Sequence, residues 1–433
     1  MNNRDSILKK NVSLGVLYKI LNIGIAFFTI PMVLNYLGTK DYGVWVTIFS
    51  IANVIFYLDG GIINGLKTNL AEVISNKELE KAKKYVSTAY ILLIFFSIIL
   101  FLIGLTLIYF VDLNDLLKTE IDQQFLKSIF YIVLTTSIVG FVLNIYKPLF
   151  YANQQSSMVE LSMLINQTTI FIIMLIFLNY FKSSIQYVAI IYGTSAILTG
   201  IIFSYFFFKK NSDILPSLNY FNKKLSKTLF NLSIEFFIIQ LSMIVILSTD
   251  NIIISILLGP EEVAKYDVVF KFFQFFITFS IIIQDPYWAM YTDAYQRKDL
   301  TWIKKTLKKW NLLFIGFFLF VLVIIFIAGP LIKFWLKFDL AVPSELIFLM
   351  GIFVIIRVYG VIYMYFLNGI GKIKIQMWLY IFGAVINIPL SIFFVKSMNM
   401  GSSGVILGTI LSLLAMVVIL PIQTYKILKN ETH

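Results

Sequence analysis

The sequence predicts an all-α integral membrane protein: about twelve transmembrane helices in two six-helix halves, an N-lobe and a C-lobe, around a central cavity. Three observations predict it. Of the 433 residues, 59% are hydrophobic and only 13% charged, about half the charge of a soluble domain, and the mean hydropathy is +0.87. Apolar runs of about 20 residues or more, the length of helix that crosses a hydrocarbon core of ~30 Å, recur with turn residues between them. The Lys and Arg residues between the runs alternate in density, as they do on the two sides of a membrane.

The runs fall at roughly 12–36, 44–66, 85–111, 128–151, 158–181, 187–208, 229–258, 266–291, 310–332, 345–368, 375–395 and 403–425. Their length and the lack of strict alternation make them helices rather than barrel strands. Leu37-Gly38, Gly259-Pro260, Gly369-Ile370-Gly371 and Gly401-Ser402-Ser403-Gly404 supply turn chemistry between neighbours. With the N-terminus in the cytoplasm, inside segments carry 23 of the 35 Lys and Arg residues and outside segments eight. The net charge of +12 is thereby an inside-loop signature that suits anionic lipid heads, and no nucleic-acid partner is expected. The basic start (Arg4, Lys9, Lys10) precedes a run too long for a signal-peptide core, so 12–36 reads as a retained first span.

Several chemistries are excluded. There is no cysteine, hence no disulfide, thiolate nucleophile or sulfur-ligated metal, and the single histidine is the terminal His433. Segments between runs reach about twenty residues, too short to build a core, so no soluble catalytic domain is expected. Two basic stretches, 79–84 and 302–309, read either as short amphipathic helices on the inner surface or as solvated linkers.

The halves echo each other. Residues 1–208 form an N-terminal six-helix bundle, 209–228 a cytoplasmic linker and 229–433 a C-terminal bundle. Leu37-Gly38 followed by Tyr42 is matched by Leu258-Gly259 followed by Tyr266. Asp59 and Asp285 then lie near the inner ends of the second span of each half, and a long basic loop follows both. An even helix count gives the halves one orientation, related by an axis along the membrane normal. Paired halves of this kind suit alternating access to a site between them.

Polar residues recur at helical spacing within the spans. The stripes are Lys19, Asn22, Ala26 and Thr29; Ser50, Asn53, Tyr57, Gly60 and Asn64; Lys271, Gln274, Thr278 and Asp285; and Gln376, Tyr380, Asn387 and Ser391. For hydroxyls and amides, hydrogen bonding across packed helices explains such stripes as well as function does. Charges are different. Four acids (Asp59, Glu235, Asp250, Asp285) and four bases (Lys19, Lys147, Lys271, Arg357) in spans exceed what packing needs and point to a hydrated cavity. Lys19, Lys147, Glu235 and Asp285 sit near inner ends and can snorkel; Arg357 and Asp250 lie deeper. Pro31, Pro148, Pro286 and Pro389 permit kinks.

The motifs LGTKDYGVW at 37–45, LDGGIINGLKTNLAE at 58–72 and YVSTAY at 85–90 resemble the N-terminal half of Wzx-type O-antigen and polysaccharide flippases, within the multidrug/oligosaccharidyl-lipid/polysaccharide exporter superfamily. STDNIIISILLG at 248–259 and FLNGIGKIKIQ at 366–376 extend the resemblance across nearly the whole chain. It implies an undecaprenyl-diphosphate-linked oligosaccharide cargo moved from the inner to the outer leaflet of the bacterial cytoplasmic membrane, without covalent chemistry. In that reading Lys19, Lys147, Lys271 and Arg357 are candidates for the diphosphate, with Asn64 and Gln274 as further cargo contacts. Asp59, Glu235, Asp250 and Asp285 are candidates for counter-charge or for coupling to H+ or Na+. No other cofactor and no metal are expected; other polysaccharide-assembly proteins are expected partners, and both termini are expected in the cytoplasm. Four acids against four bases leave the cavity formally neutral, which fits an anionic cargo less well than a surplus of bases. A multidrug exporter of the same superfamily shares the helix count. A polysaccharide-assembly enzyme fits poorly, since acyltransferases commonly need a buried histidine and polymerases a large external loop. Buried charge argues against a passive scaffold.

Overall fold

A computed structural model describes residues 3–231 and 234–431. The chain divides into two compact units, Met1–Phe237 and Ile238–His433. The first unit runs α1 (Asn3–Leu37), α2 (Thr39–Ile55), α3 (Ile62–Ser75), α4 (Leu79–Phe110), α5 (Leu113–Leu117), α6 (Gln123–Leu143), α7 (Tyr146–Ala152), α8 (Ser156–Tyr180) and α9 (Ile185–Lys210). Two 3-10 turns, Ser212–Ile214 and Leu218–Tyr220, lead to α10 (Lys223–Asn231). Next come α11 (Ile234–Leu258), α12 (Pro260–Gln284), α13 (Pro286–Gln296), α14 (Leu300–Leu336), α15 (Ser344–Gly369), α16 (Lys374–Lys396) and α17 (Gly401–Asn430). Every element among the described residues is helical, because only a helix or a closed barrel satisfies the backbone in hydrocarbon.

Among the described residues, eleven helical segments are long and apolar enough to cross a membrane. The second expected span, 44–66, is divided instead. Helix α2 stops at Ile55, Gly60 and Gly61 take φ of 63° and 81°, and α3 restarts at Ile62. The Asp59 carboxylate accepts the Ile63 N–H at 2.8 Å, satisfying one of the donors that a helix start leaves without a partner.

Three expectations need correction. The stretch 79–84 is neither a surface helix nor a linker but the opening of α4, and 302–309 belongs to α14. Prolonging a helix adds a hydrogen bond per residue, whereas starting another pays for a new nucleus. The pairs Lys81–Glu78 at 3.0 Å and Lys84–Glu80 at 2.6 Å support the first extension in water. Leu229, expected to open the seventh span, lies in α10; that span is helical from Ile234.

The sequence echo has a structural counterpart. Gly38 (φ 77°, ψ 167°) caps α2 and Gly259 (φ 95°, ψ 172°) caps α12, a conformation open essentially to glycine alone. Packing partners correspond as well. In the first unit α6 packs on α2, α4 and α9, and α8 on α9; in the second α15 packs on α12, α14 and α17, and α16 on α17.

Helices in lipid gain little from the hydrophobic effect on associating, so close packing must supply the attraction. The core of the first unit gathers Leu66, Leu70, Val86, Leu93, Ile145, Leu149, Phe203, Phe207 and Leu229. At its edge a Cβ on Gly65 would lie 2.2 Å from the Leu229 carbonyl oxygen. Gly65→Ala is expected to pry α10 from α3 at a cost of about 1–3 kcal/mol, read as a lower melting temperature of the purified protein. Gly24→Ala, where a Cβ meets nothing within 4 Å, is the matched control and leaves melting unchanged or raised.

Candidate functional site

Arg357 stands midway along α15, 13 residues from Ser344 and 12 from Gly369, roughly 18 Å of helix from either end. It lines a small open crevice with Ile356, Gly360, Val361 and Met364 of α15, Tyr380 of α16, and Leu413, Met416, Val417 and Leu420 of α17. Its one hydrogen bond among the described residues is a long one, 3.5 Å to the Tyr380 hydroxyl, and the ion pairs there do not include it. The arrangement is a planar guanidinium with unused donors in an apolar and aromatic recess, which suits a phosphate or carboxylate.

Arg357, Val361 and Tyr365 share one face of α15 by their spacing. At the far end the Tyr365 hydroxyl donates to the exposed Asp285 carboxylate at 3.1 Å. Asp285 ends α12 where Pro286 opens α13. Lys271 and Gln274 occupy one face of α12, both half-buried. No hydrogen bond or ion pair among the described residues joins them to Arg357. Thr278, from the same stripe, bonds back to the Gln274 carbonyl at 2.9 Å.

Asp250 is in a different setting. It is 1% exposed and sits inside a closed polar network. The Tyr266 hydroxyl donates to it at 2.5 Å and the Thr409 hydroxyl reaches both carboxylate oxygens at 3.2 Å. Asn387 donates in turn to Thr409 at 3.0 Å. This joins α11, α12, α16 and α17 through groups that satisfy one another. The α16 stripe serves the same packing: Ser391 donates to the Val405 carbonyl at 3.4 Å, and a Cβ on Gly408 would lie 2.6 Å from the Ser391 hydroxyl.

In the first unit Lys147 lies in α7, just past the break at Asn144, with its ammonium 5.9 Å from the Tyr146 ring centroid. Glu160 of α8 acts on it electrostatically. A Cβ on Gly15 of α1 would lie 3.8 Å from Glu160 Cγ, and Lys19 follows one turn later on the same face. Lys19, Lys147 and Glu160 thus come from three helices to one region. Asp59 is buried with backbone partners, Asn64 is exposed one turn into α3, and Glu235 is half-buried at the start of α11. The α1 stripe meets α8 where Gln167 donates to Thr29 at 2.9 Å.

Glu160 and Asp267 are acids inside the expected spans that the four counted from hydropathy leave out. Counting every carboxylate between 158–181 and 266–291 would have found them. Tyr266 was visible only as an echo of Tyr42; its bond to Asp250 needed the fold. Among the described residues no cluster of His, Cys, Asp or Glu is placed to hold a metal ion.

A multi-pass helical chain with a cation set in a recess of its second unit has the build of a membrane transporter. Residues 8–283 match the family described as polysaccharide biosynthesis protein, and the chain belongs to that family. Residues 235–393 also match MatE. A Yersinia pseudotuberculosis protein named for O-antigen export is 25% identical over 419 residues, 92% of this chain and 90% of its own. The fold is that of the superfamily the motifs suggested. An inward-facing multidrug resistance MATE family transporter matches with a TM-score of 0.76 at 16% identity, covering 96% of this chain and 99% of its own. The outward-facing form matches at 0.69 and 16%, covering 98% and 97%. A Pyrococcus furiosus transporter, described as having a binding pocket of reversed polarity that suggests a different function, matches at 0.70 and 15%, also covering 98% and 97%.

Proposed function

We propose that the protein is a flippase that moves undecaprenyl-diphosphate-linked oligosaccharide repeat units, of O-antigen, capsule or exopolysaccharide, from the inner to the outer leaflet of the bacterial cytoplasmic membrane. Transport proceeds by alternating access between the two halves, in antiport with H+ or Na+, and both termini lie in the cytoplasm. Arg357 carries the reading. A diphosphate cannot enter hydrocarbon bare, and a guanidinium with unused donors offers it bidentate hydrogen bonds. Lys19, Lys147 and Lys271 are further cations for the same group. Asn64 and Gln274 supply amides for sugar, and the polyprenyl tail stays in lipid. Asp59, Glu235, Asp250 and Asp285 remain candidates for counter-charge or coupling. Family membership and the O-antigen-export relative support a saccharide cargo.

The second reading, multidrug export, draws on the MATE-like fold. That fold is common to the superfamily, so the polarity of the recess is the better discriminator, and an arginine there disfavours organic cations. Deleting the gene in its native host is expected to remove surface polysaccharide and to leave lipid-linked repeat units inaccessible to a membrane-impermeant glycosidase outside the cell. Loss of organic-cation efflux with surface polysaccharide unchanged would instead establish the exporter.

A further inference from the structure

The segment joining the two halves is a shaped strap on the first unit rather than a loose tether. Its ends are buried there: Ile214 is 2% exposed and Leu229 fully enclosed, with α10 packed on α3 and α4. Its middle is pinned to α4. The Ser217 N–H donates to the Ser87 hydroxyl and the Asn222 N–H to the Thr88 hydroxyl, both at 3.0 Å. The Lys83 ammonium rests 4.4 Å above the Tyr220 ring. The Asn222 side chain then caps α10 by accepting the Lys224 N–H at 2.9 Å.

These bonds fix the depth of the strap. Ser87 and Thr88 come one turn after Lys83 and Lys84, just before α4 becomes continuously apolar at Ala89–Tyr90 and beyond. Residues 217–222 therefore lie level with the change from charged to apolar side chains along α4. At that level the strap turns its apolar side chains outward: Leu218 is 79% exposed, Leu215 50% and Phe221 44%. Around them Lys209, Lys210, Lys223, Lys224 and Lys227 are exposed, and none is in an ion pair among the described residues. The sole acid between 209 and 231 is Asp213.

We propose that this strap is a membrane-surface anchor: Leu215, Leu218 and Phe221 enter the boundary zone, and the five lysines bind the phosphates of anionic phospholipids. Apolar residues bracketed by lysines at headgroup depth are the composition that interfacial anchoring requires. A protein partner would have to reach Leu218 at a level that lipid already fills. The anchor ties the connection between the halves to the bilayer surface and rests on the fold alone, independent of the cargo.

The chain contains no cysteine, so Leu218→Cys carrying an environment-sensitive NBD label gives a single probe, with Asp213→Cys as the exposed polar comparison. The full-length protein is placed in vesicles of phosphatidylcholine, with or without phosphatidylglycerol. The label at 218 is expected to emit to the blue and to be quenched by lipids carrying a shallow spin label, and the label at 213 by aqueous iodide. Phosphatidylglycerol is expected to raise lipid quenching at 218 at least twofold. Lys223→Glu, Lys224→Glu and Lys227→Glu together should abolish that rise. Because the triple variant risks misfolding, high salt on the otherwise unaltered labelled protein is the second measurement and should diminish the same rise by screening. Iodide quenching at 218 equal to that at 213 would overturn the anchor, as would a response indifferent to both phosphatidylglycerol and salt.

Discussion

Arg357→Ala is expected to reduce export of surface polysaccharide by about 10- to 100-fold, the worth of roughly 1.5–3 kcal/mol of charge-assisted hydrogen bonding to the cargo. Membrane abundance and melting temperature should stay level or rise. The second half of the expectation follows from the setting. A guanidinium at mid-membrane depth costs about 2.5–3.5 kcal/mol on insertion scales, and one long bond to Tyr380 at 3.5 Å returns little of it. A residue acting only in packing would take stability with it when removed. Arg357→Lys separates charge from shape: it retains the cation but loses the fork that binds phosphate bidentately, so an intermediate rate is expected. Normal export in the alanine strain, or a loss that merely tracks protein abundance, would remove Arg357 from the site.

The second large effect concerns Asp250. Asp250→Ala deprives the Tyr266 and Thr409 hydroxyls of their buried acceptor, at about 1–3 kcal/mol for each donor left unpaired. The purified variant should melt well below the native protein and accumulate poorly in the membrane. Asp250→Asn keeps the size and one acceptor oxygen, so its melting should stay close to native. That variant also decides the residue's role. Transport that survives in Asp250→Asn makes the carboxylate a structural tie among four helices; transport lost from a well-folded Asp250→Asn protein makes its proton or charge part of coupling. Thr409→Val offers a milder check, since it removes one donor to Asp250 and the acceptor for Asn387 together.

The candidate residues divide by how much of their surroundings the chain announces locally. Arg357 was conspicuous from its position in an apolar run, and the fold leaves it in a recess without a carboxylate. Asp250 was equally conspicuous, yet its partners lie 16 and 159 residues away, and hydropathy gives no warning of a closed network. Asp59 looked like a charge stranded in a span; the break between α2 and α3 makes it the acceptor for a backbone N–H. Glu160 drew no notice at the edge of its span, and only the approach of α1, α7 and α8 sets it near Lys147. The strap of 209–231 read as a linker because its hydrogen bonds run to side chains 130 and 134 residues earlier.

From the sequence by itself came the helical class, the approximate spans, the two matching halves and the family resemblance. All of these rest on local rules: in hydrocarbon each backbone N–H must find a carbonyl four residues back, and a run of about twenty apolar residues is the unit that crosses. Only the tertiary structure decided where the second span breaks, which basic stretches prolong α4 and α14, and which charges are paired or left open. Those depend on hydrogen bonds and close contacts between helices distant in sequence, and spacing along one helix carries no record of what faces it.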